Sequence, residues 1–433
     1  MQHHRVGFHA RIQTAFKGRS VSMPPTLLLL ILVLVFSCGE LGAAGSREQS
    51  GTGAGASGED SAQFEEVRAE SLGLGAPVTL SSGMPLIEPD GQPAGASQFS
   101  TDFTRTTIDY SEIRSGGPPK DGIPALTNPS LTSIDAADAF LSDDETVLVF
   151  TANAEAVIYP VRILMYHEIA NDRVGGVPVT VTYCPLCNTA IAFDRRVGGE
   201  VLDFGTTGLL RYSNLIMYDR QTESFWQQAS GNGIAGEYAG LRLRTLPLLT
   251  LPWDEARRSY PDAAVLGEDT GHARPYGRNP YAGYDTAPRP FLYDGPEPPG
   301  EEDYMSRVLV VQLDGEEQAF LYRELAESGF EMARIAGEDV VVFWEAGTAS
   351  PLDSREVATG RDIGTANAFL ADGRRFARGD NGSIVDAQDG SVWTAGGRAI
   401  SGPAEGQRLE PVPTIQHFWF SYTAFADESA DTP

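Results

Sequence analysis

Cys184 and Cys187 stand three positions apart in VPVTVTYCPLCNTAIAF (177–193), where Pro185-Leu186 turns the chain so that both sulfurs are presented from one knuckle. Two thiols at that spacing support three chemistries. As thiolates they are half of a tetrahedral set for a soft metal, copper or zinc, with His167 as a third ligand and Asp172, Met165 or His417 as a fourth. As a dithiol they can cycle with a disulfide, although redox pairs of the thioredoxin type sit at a helix N-terminus and Asn188 to Phe193 reads as strand. As a permanent bridge they would close a loop too small to remove much chain entropy. A zinc ribbon needs a second pair, and the chain has 3 cysteines in all, the third being Cys38. The expected function is binding of a metal ion or small ligand through the knuckle and His167. The alternatives are thiol–disulfide exchange and a structural or protein-binding envelope module; no catalytic mechanism follows from these residues.

The knuckle needs a strand on each side. Val177, Val179, Val181 and Tyr183 alternate with Pro178, Thr180 and Thr182, the period of a half-buried strand, and Cys184 continues the Thr180/Thr182 face. Just upstream, RILMYHEIANDRVGG reads as a short helical or irregular segment. A helical turn would put most of His167, Glu168, Asn171 and Asp172 on one side. The expected metal ligands are therefore Cys184, Cys187, His167 and Asp172, and the expected ligand-binding residues are Lys120, Asp121, Glu168, Asn171, Thr180 and Thr182. Lys120 and Asp121 belong to GGPPKDGIPAL, read as a rigid loop whose charges rim the site. His417, ahead of Phe418-Trp419-Phe420, is expected to be a satisfied or surface histidine, and His272 to be solvated.

The chain is read as exported. Arg5, Arg11, Lys17 and Arg19 precede the apolar run 26–36, which is too short for a comfortable membrane span, and Val35-Phe36-Ser37-Cys38 resembles a lipobox. Residues 1–37 are the expected lipoprotein-type signal peptide and Cys38 the lipidated residue. A Gly/Ser/Ala/Glu-rich tether over 38–102 follows, with too little apolar surface to offset ordering entropy. This places the body in the periplasm or at the cell surface, held to a membrane by an N-terminal lipid anchor. A formal charge of −27 makes nucleic acid an unexpected partner. The 47 glycines and 28 prolines between short Val/Ile/Phe/Tyr runs predict many turns and a mainly β, β-rich α+β fold.

An internal repeat refines that fold. VLVFTANAEAVIYPVRIL (147–164) matches VLVVQLDGEEQAFLYREL (308–325) at an offset of 161, which also carries Gly176 onto Gly337 and Tyr183 onto Trp344. DRQTESFW matches DAQDGSVW, and Gly236, Gly240, Pro247 and Trp253 fall on Gly402, Gly406, Pro413 and Trp419. The expected organisation is two tandem copies of a β-rich unit formed by duplication. The first, with the cysteines, spans 103–265; a Pro/Gly/Tyr-rich connector covers 266–302; the second, cysteine-free, spans 303–426; and 427–433 is a tail. Features present in one copy only are candidates for function. Cys184, Cys187 and His167 become Glu345, Thr348 and Ser328, while Thr180 and Thr182 become Val341 and Phe343, so copy two is expected to have closed the site into core.

GGPPKDGIPAL, YHEIAND, VTYCPLC, AFDR, MYDRQTESFWQQ and GRNPYAGYD resemble a bacterial family catalogued as a domain of unknown function, number 3179. The resemblance runs from Gly116 to Phe425. It implies no activity, because the family has none established. The family's usual motif is CPLCG, and here Asn188 stands in place of the glycine, a residue that also tolerates left-handed backbone.

Overall fold

The computed structural model describes residues 80–429. The signal segment, Cys38 and the tether as far as residue 79 lie outside the described residues. Among the described residues no helix is long and apolar enough to cross a membrane.

The Val177–Cys184 strand lies near the middle of an eight-stranded sheet. On one side it pairs with Ile169–Val174, which in turn takes Leu126–Thr127. On the other it pairs with Thr189–Asp194, followed by Thr414–Phe418, Arg307–Leu313 and Glu316–Leu321. All eight residues of Val177–Cys184 are buried, not half of them. The alternation correctly separates two faces, but both are covered. Val177, Val179, Val181 and Tyr183 pack on Leu148, Phe150 and Tyr159, while the cysteine face joins Ile191, Phe193, Phe204 and Trp226.

Ile169–Val174 is a strand, not the expected helical or irregular segment. Gly175 and Gly176 have φ of 55° and 84°, the left-handed pair that closes a two-residue hairpin, and this locks residues 169–174 into register with 177–182. The preceding helix is only Val161–Leu164. Asn171 and Asp172 consequently point to opposite faces of a sheet and not to one side of a helix.

The second half repeats the order of elements. The hairpin Thr146–Ala152/Glu155–Pro160, a short helix and the pair Ile169–Val174/Val177–Cys184 have counterparts in Arg307–Leu313/Glu316–Leu321, Tyr322–Ser328 and Phe330–Ile335/Glu338–Glu345. Val341 and Phe343, at the positions of Thr180 and Thr182, are fully buried with Phe369, Phe376 and Trp393. The halves are nevertheless not two separate bodies. Strands from both build the eight-stranded sheet, and one core joins Val147, Leu251 and Trp253 to Phe343, Phe369 and Trp393.

Two boundaries also move. Residues 80–102 do not behave as a tether: Leu80–Ser81 pairs with Leu241–Arg242, and Phe99 packs edge-on against Tyr218 and Phe225. At the other end the Trp419–Ser429 helix runs past 426, and Glu428 pairs with Arg211.

Candidate functional site

Cys184 ends its strand opposite Thr189, and residues 185–188 form the turn between the two strands. Asn188 adopts φ 50°, so asparagine fills the left-handed position that glycine would take. Its side-chain oxygen accepts the Tyr183 hydroxyl at 3.2 Å. Both cysteines are free thiols, 1% and 0% exposed.

The surroundings of Cys187 are polar and convergent. Asn214, on the neighbouring Asn214–Asp219 strand, donates from Nδ2 to Cys187 Sγ at 2.9 Å and to Gln228 Oε1 at 2.8 Å. The amide orientation is unambiguous, because Asn214 Oδ1 accepts the Ala229 backbone N–H, a group that can only donate, at 3.0 Å. Gln228 in turn donates to Thr182 Oγ1 at 2.9 Å and Thr189 O at 3.1 Å. Behind Thr189 lies His417, whose Nδ1 is 3.0 Å from Thr189 Oγ1 and 3.3 Å from Ser421 Oγ.

Burial works to raise the Cys187 thiol, yet hydrogen bonds from Cys184, Thr189, Asn214 and Ser421 outweigh it and hold Cys187 below the usual thiol range. Burial, with the adjoining Cys187, pushes Cys184 well above that range. The pair thus consists of one sulfur prepared as a thiolate and one that keeps its proton. Burial and the Cys187 charge push the Glu168 carboxyl up to about 8.

His167 and Asp172 are not with the sulfurs. His167 Nδ1 donates to Pro124 O at 2.7 Å and Nε2 accepts the Tyr276 hydroxyl at 2.6 Å, so both ring nitrogens are taken. Burial lowers its pKa to about 4 despite the Pro124 bond, which keeps the ring neutral. Asp172 accepts the Tyr159 hydroxyl at 2.8 Å and the Arg173 backbone N–H. Among the described residues no group of three or more His, Cys, Asp or Glu side chains is placed to hold a metal ion. Of the four expected metal ligands, the structure brings together the two thiols alone, short of the four donors a structural zinc site requires.

The expected ligand-binding residues are also dispersed. Lys120 pairs with Glu223 and lies over the Phe99 and Tyr218 rings, and Asp121 accepts Tyr218 and Arg220. Asn171 is fully buried and ties Phe204 to its own strand through bonds of 2.8 and 3.0 Å. Thr182 donates to Ile191 O and receives Gln228, whereas the buried Thr180 hydroxyl has no partner. Glu168 is the one of this set whose carboxyl feels the Cys187 charge.

The connector covers the knuckle. Tyr276 reaches His167, and Tyr284 donates its hydroxyl to Leu186 O, inside the Cys-x-x-Cys turn, at 2.8 Å. Tyr281 packs on the apolar cluster that holds both cysteines, and burial holds its hydroxyl well above the ordinary range. Next to Tyr284, the fully buried Asp285 anchors the segment to the second half through Arg307 and Ser350 at 2.9 and 2.5 Å and through Arg361 at 2.8 Å. His272 is exposed, as expected, with its ring 5.4 Å from that of His167.

Sequence reasoning singles out none of Asn214, Gln228, Thr189, Ser421, Tyr281 and Tyr284, and it names His417 as an alternative fourth metal ligand while favouring a satisfied or surface histidine. One signal was legible. Gln228 follows Trp226 by two positions, and its counterpart after Trp393 is Ala395, so it differs between copies just as the cysteines do.

Fold and site together define a mainly β protein with a buried, tyrosine-covered dithiol on a strand–turn–strand knuckle. The family model described as a protein of unknown function (DUF3179) matches residues 120–429, and the chain belongs to that family. No curated protein and no solved structure matches it.

Proposed function

We propose that this chain is a thiol–disulfide redox protein in which Cys187 is the attacking sulfur and Cys184 the resolving one. The observation that carries the reading is the 2.9 Å approach of Asn214 Nδ2 to Cys187 Sγ, an N–H donor that favours thiolate over thiol. The thiolate, not the thiol, is the attacking form, so Cys187 takes the first step, and Cys184, which keeps its proton, is left for the second. Cys187 would attack one sulfur of a small disulfide, forming a mixed disulfide and releasing a thiolate. Cys184 would then attack Cys187 Sγ, lose its proton, and expel the second thiolate. The cover of Tyr281 and Tyr284 favours a small partner over a bulky one. On sequence grounds we place the chain outside the cytoplasm, exported by residues 1–37 and anchored through Cys38.

Oxidised glutathione is the probe for this reading. In a Cys38→Ser background, reduced full-length chain should lose both remaining thiols and two hydrogens of mass, and adding Cys184→Ser should stop the reaction at the glutathione adduct on Cys187. A dithiol that stays reduced at every glutathione ratio refutes the proposal. So does near-stoichiometric copper or zinc in chelator-free protein that is lost in Cys184→Ser/Cys187→Ser, which would restore metal binding as the reading.

A further inference from the structure

We infer that the cavity between the two halves of the chain, walled by Arg307, Thr348, Thr250, Asn188 and Gln416, is a binding site for a single monatomic anion, a halide such as chloride. The site stands apart from the dithiol chemistry and does not depend on it.

The first argument is a surplus of donors. The bonds of the Arg307 guanidinium leave from Nη2 alone, to Asp285 and to Ser350 at 2.9 Å each, so Nε and Nη1 have no partner among the described residues. Asp285 is itself shared between Arg307 and Arg361, and no Asp or Glu lines the cavity. Arg307 is therefore the one charged group in the wall, and its charge is answered from one side only. The Thr348 hydroxyl, on a residue 1% exposed, has no hydrogen-bond partner. Asn188 Oδ1 accepts the Tyr183 hydroxyl, which leaves the Nδ2 donor over. Unpaired polar groups in so buried a place are costly, and one acceptor placed among them would satisfy several at once.

Size and charge then select the ligand. The open centre of the cavity is about 10 Å³, room for one body the size of a water molecule, which excludes sulfate, phosphate and carboxylates. A water would fit, but it brings two protons that need acceptors of their own, whereas a halide only accepts. Leu148, Val161 and Ile363 make much of the remaining wall apolar, and in such surroundings the attraction between an anion and a guanidinium is far stronger than in water.

The position also has a meaning in the chain. Thr348 stands at the 161-residue offset from Cys187, and Asn188 directly follows Cys187. The bound anion would tie the turn that carries the dithiol to the corresponding segment of the second half.

The test is the melting temperature of the full-length chain in sodium chloride against sodium gluconate at matched ionic strength, gluconate being too large for the cavity. Wild type should melt higher in chloride and keep rising with its concentration, as for a ligand that binds the native state alone, and bromide should act in the same way. Thr348→Val keeps the shape and removes the unpartnered hydroxyl. In gluconate it should melt no lower than wild type, because no hydrogen bond is lost; in chloride the same rise should need about 10-fold more salt, the loss of one bond to a charged group. Wild-type crystals grown in bromide provide a measurement that needs no variant: an anomalous peak is expected within hydrogen-bond reach of Arg307 and Thr348. Equal melting in chloride and gluconate, an unchanged chloride response in Thr348→Val, or a water in the cavity with no bromide peak overturns the inference.

Discussion

Replacing Asn214 by leucine keeps the side-chain volume but removes the N–H donor at Cys187 Sγ, leaves Gln228 Oε1 and the Ala229 N–H without partners, and takes from Gln227 Nε2 the nearer of its two acceptors. Because these groups are buried, the loss should cost about 2–4 kcal/mol in a denaturant melt. In a Cys184→Ser background it should also raise the Cys187 pKa by about one unit, read as slower iodoacetamide alkylation at neutral pH. His167 and Glu168 make opposite contributions to the pH dependence of stability. The folded His167 titrates at about 4, below its unfolded value, so between that value and pH 4 the unfolded chain binds more protons and stability falls as pH falls. Keeping this ring neutral disfavours the fold in acid by about 3 kcal/mol. The folded Glu168 titrates at about 8, above its unfolded value, so the native state holds the extra proton and stability falls as pH rises from about 4.5 to 8. Glu168→Gln should therefore gain melting temperature relative to wild type as pH is raised through that window; a constant difference would show that the carboxyl is not held protonated.

Trp226 and Trp393 occupy matching positions on matching hairpins, yet only one is fully satisfied. Trp226 Nε1 donates to Asp219 at 2.9 Å, whereas the buried Trp393 Nε1 has no partner because Asp386 is taken by Arg374. Tryptophan to phenylalanine at 226 should therefore cost about 1 kcal/mol more than at 393, since it removes a hydrogen bond to a buried carboxylate, leaving Asp219 to Thr222 alone, as well as losing area. The connector offers a second comparison. Asp285→Ala leaves the Arg307 guanidinium, 10% exposed, facing Ser350 without its carboxylate, and should destabilise by about 3–5 kcal/mol. Because Tyr281 and Tyr284 hang from the same segment, the variant should also expose the knuckle. Thiol titration under native conditions should proceed faster than in wild type, while Arg289→Ala, on an exposed ion pair of the same connector, should leave it unchanged.

The sheet carrying the cysteines is completed by the last strand of the chain. Gln416 pairs with Ala190, the Phe418 N–H donates to Cys187 O at 2.9 Å, and Ser421 and His417 stand behind the knuckle. A chain ending at residue 302 would lose all of these and expose the Thr189–Asp194 edge together with the apolar surface of Val147, Leu251 and Trp253. Such a truncation should fail to fold cooperatively, and the full chain should melt in one transition by calorimetry. Two resolved transitions would show that the halves are independent after all.

By itself the sequence determined what depends on neighbours along the chain. The alternation from Val177 to Tyr183 defined a strand and sorted its faces, the Cys-Pro-Leu-Cys turn brought two sulfurs together, and the glycine pair at 175–176 marked the reversal. The paired segments 147–164 and 308–325 announced the recurring order of elements and singled out the cysteines as belonging to one half only. Long-range contact decided the rest. Whether Ile169–Val174 became helix or strand was settled by pairing with its neighbour, which overrode local preference and sent Asn171 and Asp172 to opposite faces. The partners of Cys187 come from residues 189, 214 and 421, and those of His167 from 124 and 276. No spacing rule connects such distant positions. They meet because the strands that carry them must bury both faces of one sheet, and that closure happens only in three dimensions.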